Sequence, residues 1–233
     1  MNLVNYITTV LLSLQPTYGD GEAWQQRVDR MSIIAQAIDD ASSKATCSDK
    51  YESDKTCVRT WPKEKKSLAL LLITMGYWES KFAKNVHEGK CRKYECDPSV
   101  AANGAVYHKA RSPWQIQKTG LVSQDEYKIM NSSSLESTTM SANVAVRYLS
   151  MGMKQCGTFH GAMAIYGGAG SCNWPGVNNR EAFYRHLLEK TPEQLNNEIE
   201  KQKALFKTPD NVSTKTEEKK PATETTSEAS SKK

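Results

Sequence analysis

From Ser67 to Ser80 the run SLALLLITMGYWES carries one charged side chain, Glu79. At helical spacing Leu68, Leu72, Met75, Glu79 and Phe82 share a face, while Leu70, Leu71, Ile73, Tyr77 and Trp78 make the remaining surface apolar. A helix apolar on all sides is a buried helix, with Trp78 expected in the core. Burying a carboxylate without partners costs enough that such a group normally holds its proton. A carboxylic acid still protonated near neutral pH can protonate a leaving oxygen, which is the first requirement of glycoside cleavage. The structural alternative is that Glu79 ends the helix and pairs with Lys81 or an arginine.

Glycoside cleavage usually engages a second carboxylate. Glu88, Glu95 and Asp97 are the candidates, in a long loop after Phe82. A sugar groove also needs flat apolar faces and amide donors. Trp114, Tyr166 and Trp174 are expected to supply the faces, with Gln115 and Asn173 as donors. Six cysteines form three near pairs, Cys47 with Cys57, Cys91 with Cys96 and Cys156 with Cys172. Fifteen pairings are possible, and the short-range set is the simplest; it staples three loops and points to an oxidising compartment. A metal site of His87, Cys91 and Cys96 is the rival, but it lacks a CxxC pair and an obvious fourth ligand, so no metal is expected.

The elements that must hold these residues are mostly helices. The apolar run Val4 to Leu14 has no Lys/Arg flank and no small-residue cleavage site before Gly19, and is read as a first helix packing on the body. Glu22 to Ser42 is amphipathic. Trp24 and Trp61 are core anchors. Ser123 to Glu126 and Thr191 to Gln194 have the form of capping boxes, opening a short helix and a last charged helix to about Phe206. Further helices cover roughly Thr139 to Met153, Thr158 to Tyr166 and Arg180 to Lys190. Small residues Gly161, Ala162 and Ala164 permit close packing of the second of these, and the glycines from Gly167 to Gly170 mark a tight turn or a close approach. No convincing alternating strand run is present, and a small hairpin in the long loop is the only β structure anticipated.

The chain of 233 residues with 38% hydrophobic content fits one globular domain with extensions. We divide it into a helical N-terminal extension over 1–65, a body over 66–206, and a Thr/Ser/Glu/Lys/Pro tail over 207–233 that cannot fold alone. A net charge of +5 without a dense basic block gives no reason to expect a nucleic-acid partner, though it suits an anionic polymer. No apolar stretch reaches membrane-spanning length. A monomer is expected.

Three pieces stand in order: a buried helix ending Glu79-Ser80, then Ser112-Pro113-Trp114-Gln115-Ile116, then Ala164-Ile165-Tyr166-Gly167-Gly168-Ala169-Gly170. Together, over about Lys66 to Lys190, they resemble the signature of the soluble lytic transglycosylase and goose-type lysozyme superfamily. The resemblance implies a mainly α, lysozyme-like fold with a minimal hairpin, and cleavage of the β-1,4 bond between N-acetylmuramic acid and N-acetylglucosamine in peptidoglycan without a cofactor. It implies Glu79 as the single acid and then base, Ser80 as a positioner of the reacting sugar, Gln115 and Ile116 as the second motif, and Tyr166 close to Glu79. Ser112-Pro113-Trp114 replaces the family's usual Gly-Leu-Met, and Gly167 stands where asparagine is expected. Other expectations for the chain are a hydrolysing lysozyme or chitin-type hydrolase, and a wall-binding protein without turnover. The workplace implied is the cell wall or periplasm, suiting a bacteriophage endolysin or virion component.

Overall fold

A computed structural model of the chain describes residues 1–16, 21–44 and 64–206. Cys47, Cys57, Trp61 and the tail over 207–233 lie outside the described residues. Helix α1, Leu3–Ser13, starts at Asn2, whose side chain accepts the Asn5 N–H at 2.8 Å, and buries Ile7, Val10 and Leu11. Helix α2, Trp24–Lys44, buries Met31, Ile34 and Ile38 on its apolar stripe. Arg27 and Arg30 of α2 are buried as well, and they act as ties. Arg27 donates to the Leu14 carbonyl at 3.1 Å, and Arg30 clamps Glu22 while donating to the Phe82 carbonyl at 2.6 Å. These bonds engage guanidinium groups that would otherwise be stranded in the core.

Helix α3, Lys65–Ser80, is the axis of the molecule, with every residue from Leu68 to Gly76 buried. Each fully buried leucine contributes roughly 1.5–3 kcal/mol relative to exposure. Burial stops there, and Trp78, expected in the core, is exposed. The last turn of α3 emerges from the core, so one face of it points outward. Lys81 and Phe82 then both take φ of 51°, turning the chain so that Phe82 folds back over Gly76. A Cβ on Gly76 would lie 2.5 Å from the Phe82 ring and 3.2 Å from Trp114 Nε1, so glycine is what lets both aromatic residues reach the helix backbone.

The loop that follows contains a one-turn helix α4, Lys84–His87, and an antiparallel hairpin of β1, Pro98–Val100, with β2, Val106–His108. A second hairpin pairs β3, Ala110–Arg111, with β4, Ile116–Gln117. Among the described residues the chain is thus mainly α with two small hairpins, one more than anticipated. Helix α5, Gln124–Ile129, carries the expected capping box of Ser123 and Glu126. Helix α6, Leu135–Cys156, packs beside α2 and α7, Phe159–Tyr166, with Ala162 lying directly on Gly152. A 3₁₀ turn, Pro175–Val177, leads into α8, Asn178–Glu189, and α9, Pro192–Leu205, begins at the second expected box.

One hydrophobic core takes in residues of α1, α2, α3, α6, α7, α8 and α9. Through α1 and α2 the stretch read as an N-terminal extension contributes directly to that core. Cys91 pairs with Cys96 and Cys156 with Cys172, at Cα separations of 6.1 and 5.6 Å. Both short-range pairs that fall among the described residues are therefore disulfides, compatible with an oxidising compartment. Cys91 and Cys96 are consequently not thiolate ligands, which removes the metal site drawn from them and His87.

Candidate active site

The emerging end of α3 forms one wall of a cleft of about 360 Å³. Glu79 lines it with Trp114, Gln115, Ile116, Tyr166 and Gly167, together with Asp97 from the long loop and Gln117, Thr119 and Tyr148. Three segments far apart in sequence therefore meet around one carboxylate. The join between two of them is direct, since the Tyr166 hydroxyl donates to the Trp114 carbonyl at 2.8 Å. Tyr148 packs edge-on against Tyr166 with ring centroids 5.9 Å apart, and its hydroxyl bonds to Thr119 and the Gln117 carbonyl. Burial first, then the Glu79 carboxylate and Tyr148, push the Tyr166 phenol well above its ordinary pKa, against a lowering effect of Arg180. Tyr166 therefore acts in this cleft as a neutral donor.

Glu79 is not buried alone: it pairs with an arginine, the structural alternative, so it is not an unpartnered buried carboxyl of the kind that keeps its proton. Arg180 Nη1 donates to Glu79 Oε1 at 2.6 Å, with the two side chains 12% and 19% exposed respectively, so this is a largely desolvated ion pair. The second carboxylate oxygen, Oε2, receives no hydrogen bond among the described residues and is the one left for a ligand. Arg180 was not singled out from the sequence. The signal was present in its position: a cation in the first turn of α8 opposes the helix dipole and calls for a compensating anion. Gly167 explains how the arginine fits. A Cβ there would stand 3.4 Å from both Arg180 Nη1 and Trp174 Cζ3, so these two side chains lie against the glycine.

Several expected contacts fall elsewhere. Trp114 is fully buried, its indole N–H donates to the Leu72 carbonyl at 2.9 Å, and its ring meets Phe82 edge-on. Its flat face, expected under a sugar ring, is thus a core wedge beneath the cleft. Ile116 is likewise a core residue at the cleft floor. Gln115 lies in the cleft with φ of 51°, but its amide nitrogen donates to the Ser112 carbonyl at 3.1 Å, turning it toward its own loop. Ser80 is not part of the cleft lining: its hydroxyl caps the end of α3, donating to the Gly76 carbonyl and accepting from the Phe82 N–H, both at 3.2 Å. Asn173 lines a different recess, with His160, Glu181 and Arg185. Trp174 is partly exposed beside Gly167, at the rim.

Of the three further carboxylates, Asp97 alone lines the cleft, where Gln117 donates to its Oδ2 at 3.0 Å. Glu88 pairs with Lys90, and Glu95 accepts from Asn85 and from the Arg92 N–H. No protein-family model, curated protein or solved structure matches the chain.

Proposed function

We propose that the protein is a peptidoglycan-cleaving glycosidase acting on the MurNAc-GlcNAc β-1,4 bond as a lytic transglycosylase. The observation that carries this reading is the convergence of Glu79, the turn at 112–117 and the Tyr166-Gly167-Gly168 turn on one open cleft. Because Glu79 is ion-paired with Arg180 through Oε1, it must take up a proton from solvent before Oε2 can deliver one to the glycosidic oxygen, and Arg180 fixes the plane of the carboxyl group. The substrate's own N-acetyl group stabilises the oxocarbenium-like centre, and Glu79 then takes the proton of the C6 hydroxyl, giving an anhydro product. Tyr148, Tyr166 and Trp174 supply the apolar surface along the cleft and its rim.

Asp97 supports a second reading. A carboxylate across the same cleft can hold a water, which would make the enzyme a hydrolysing lysozyme. Mass spectrometry of soluble products from purified peptidoglycan separates these outcomes. Anhydro-muropeptides lost in Glu79→Gln and retained in Asp97→Asn support the transglycosylase. Reducing-end muropeptides lost in both variants support the hydrolase, and no product from any wall preparation leaves a binding protein without turnover.

A further inference from the structure

The β1–β2 hairpin projects from the foot of the cleft with both faces open. Pro98, Val100, Val106 and Tyr107 are all exposed, Val100 to 70%, and Val100 pairs directly with Val106 across the strands. Residues paired in this way put their side chains on the same face, so the two valines form one apolar patch and Tyr107 stands on the other face. From Pro98 to His108 the sequence PSVAANGAVYH holds no Lys, Arg, Asp or Glu, in a chain where 24% of residues are charged. A lone two-stranded ribbon is marginal in water. Here its base is held by the Cys91–Cys96 disulfide, by Lys109 N–H to the Asp97 carbonyl at 3.1 Å, by Ala110 N–H to the Cys96 carbonyl at 3.0 Å, and by His108 on the Glu95 carbonyl at 2.8 Å.

The base is as cationic as the tip is apolar. From Lys81 to Arg111 there are seven basic residues against three acids, a net of +4 in a chain of +5. Lys93 and Lys109 in this collar are exposed, as is Tyr94 at 83%, while Lys90 and Arg92, also exposed, are ion-paired with Glu88 and Glu95. A polyanion in water would need the cations but not the valines, and a second protein copy would repel a like-charged collar. An apolar tip above a base carrying lysines, an arginine and a tyrosine matches the layering of an anionic bilayer surface, with acyl chains below phosphate headgroups.

We propose that this hairpin is a peripheral docking device for an anionic lipid bilayer, the tip entering the headgroup region and the collar meeting the phosphates. Among the described residues no helix is long and apolar enough to cross a membrane, so the contact is made at the surface. Asp97 and Ala110, at the two feet of the hairpin, line the cleft. At about 3.3 Å per residue, the six residues from foot to tip hold the cleft roughly 20 Å from the bilayer plane. The docking goes beyond the glycosidase reading and does not depend on it.

The test is co-sedimentation of the full chain with vesicles of phosphatidylcholine alone and of phosphatidylcholine mixed equally with phosphatidylglycerol. Three proteins are compared: wild type, a tip variant (Val100→Ser, Val106→Ser, Tyr107→Ser) and a collar variant (Lys93→Gln, Lys109→Gln). Wild type is expected to pellet with the anionic vesicles only. The tip variant is expected to stay in solution with an unchanged melting temperature. Each basic side chain near the surface is worth about fivefold in partitioning, so the collar variant weakens about 25-fold, and added salt weakens the wild type. Wild type left in solution with both vesicles overturns the proposal. So does a tip variant that binds as wild type, or protein that pellets with lipid-free wall sacculi through the tip but not with vesicles. Because vesicles contain no glycan, failure here leaves the cleavage reading untouched.

Discussion

Lowering the pH from 7 to 5 is expected to destabilise the fold through a single buried imidazole. His87 is 1% exposed, and its Nε2 lies 2.8 Å from Thr138 Oγ1. The Thr138 hydroxyl gives its proton to the Ser134 carbonyl at 2.7 Å, so Oγ1 accepts and Nε2 must carry the hydrogen. Nδ1 then holds a lone pair, and no partner among the described residues reaches it. Protonation would add a second N–H with no acceptor, within the field of the Arg30 guanidinium. Burial first, and Arg30 second, lower the His87 pKa from 6.5 to about 3. The unfolded chain takes up this proton near pH 6.5 and the folded chain only near 3. Stability is therefore full above 6.5 and declines as pH falls toward 3. At 1.36 kcal/mol per pH unit the loss reaches about 2 kcal/mol at pH 5 and about 3 kcal/mol at pH 4. The assay is urea unfolding of wild type and His87→Gln at pH 7 and 5. Glutamine keeps an amide N–H for Thr138 and cannot protonate. The wild type should lose about 2 kcal/mol more than the variant over that interval. Equal losses in the two proteins would refute the reasoning.

Replacing Arg180 by Gln leaves the Glu79 carboxylate without its cation and is expected to cost about 1.5–3 kcal/mol by urea unfolding, with a fall in the proposed wall cleavage. Gly167→Asn puts its Cβ in contact with Arg180 Nη1 and Trp174 Cζ3 at 3.4 Å and its amide beside them, so in a double-mutant cycle its effect and that of Arg180→Gln should not be additive. Gly76→Ala should cost about 1–3 kcal/mol, because its Cβ meets the Phe82 ring at 2.5 Å, and calorimetry would register the drop. Removing the Cys156–Cys172 bridge, with its sequence separation of 16, should cost about 3 kcal/mol and lower Tm by roughly 6–12 °C.

Much of the fold is written locally. The capping boxes at Ser123 and Thr191, the all-apolar run of α3 and the stripe of α2 depend on neighbours within a few residues, and all were readable in advance. Two short-range disulfides were readable for the same reason, because a small loop holds its cysteines near one another whatever the fold. The sequence also singled out Glu79 as a lone carboxylate in an apolar helix. It did not determine what meets that carboxylate, because Arg180 is 101 positions away and reaches it only once α8 packs beside α3. Trp114 shows the same limit. An aromatic residue beside a motif has the same composition whether it lines a groove or plugs the core, and the choice was made by Gly76, which leaves room for the indole against the α3 backbone. Asp97, Glu95 and Glu88 were equivalent as sequence. Only the disulfide-held loop, by placing one of them in the cleft and engaging the others in local pairs, distinguished them. Local hydrogen-bonding and periodicity are properties of the chain; desolvation and ion pairing across the cleft are properties of its packing.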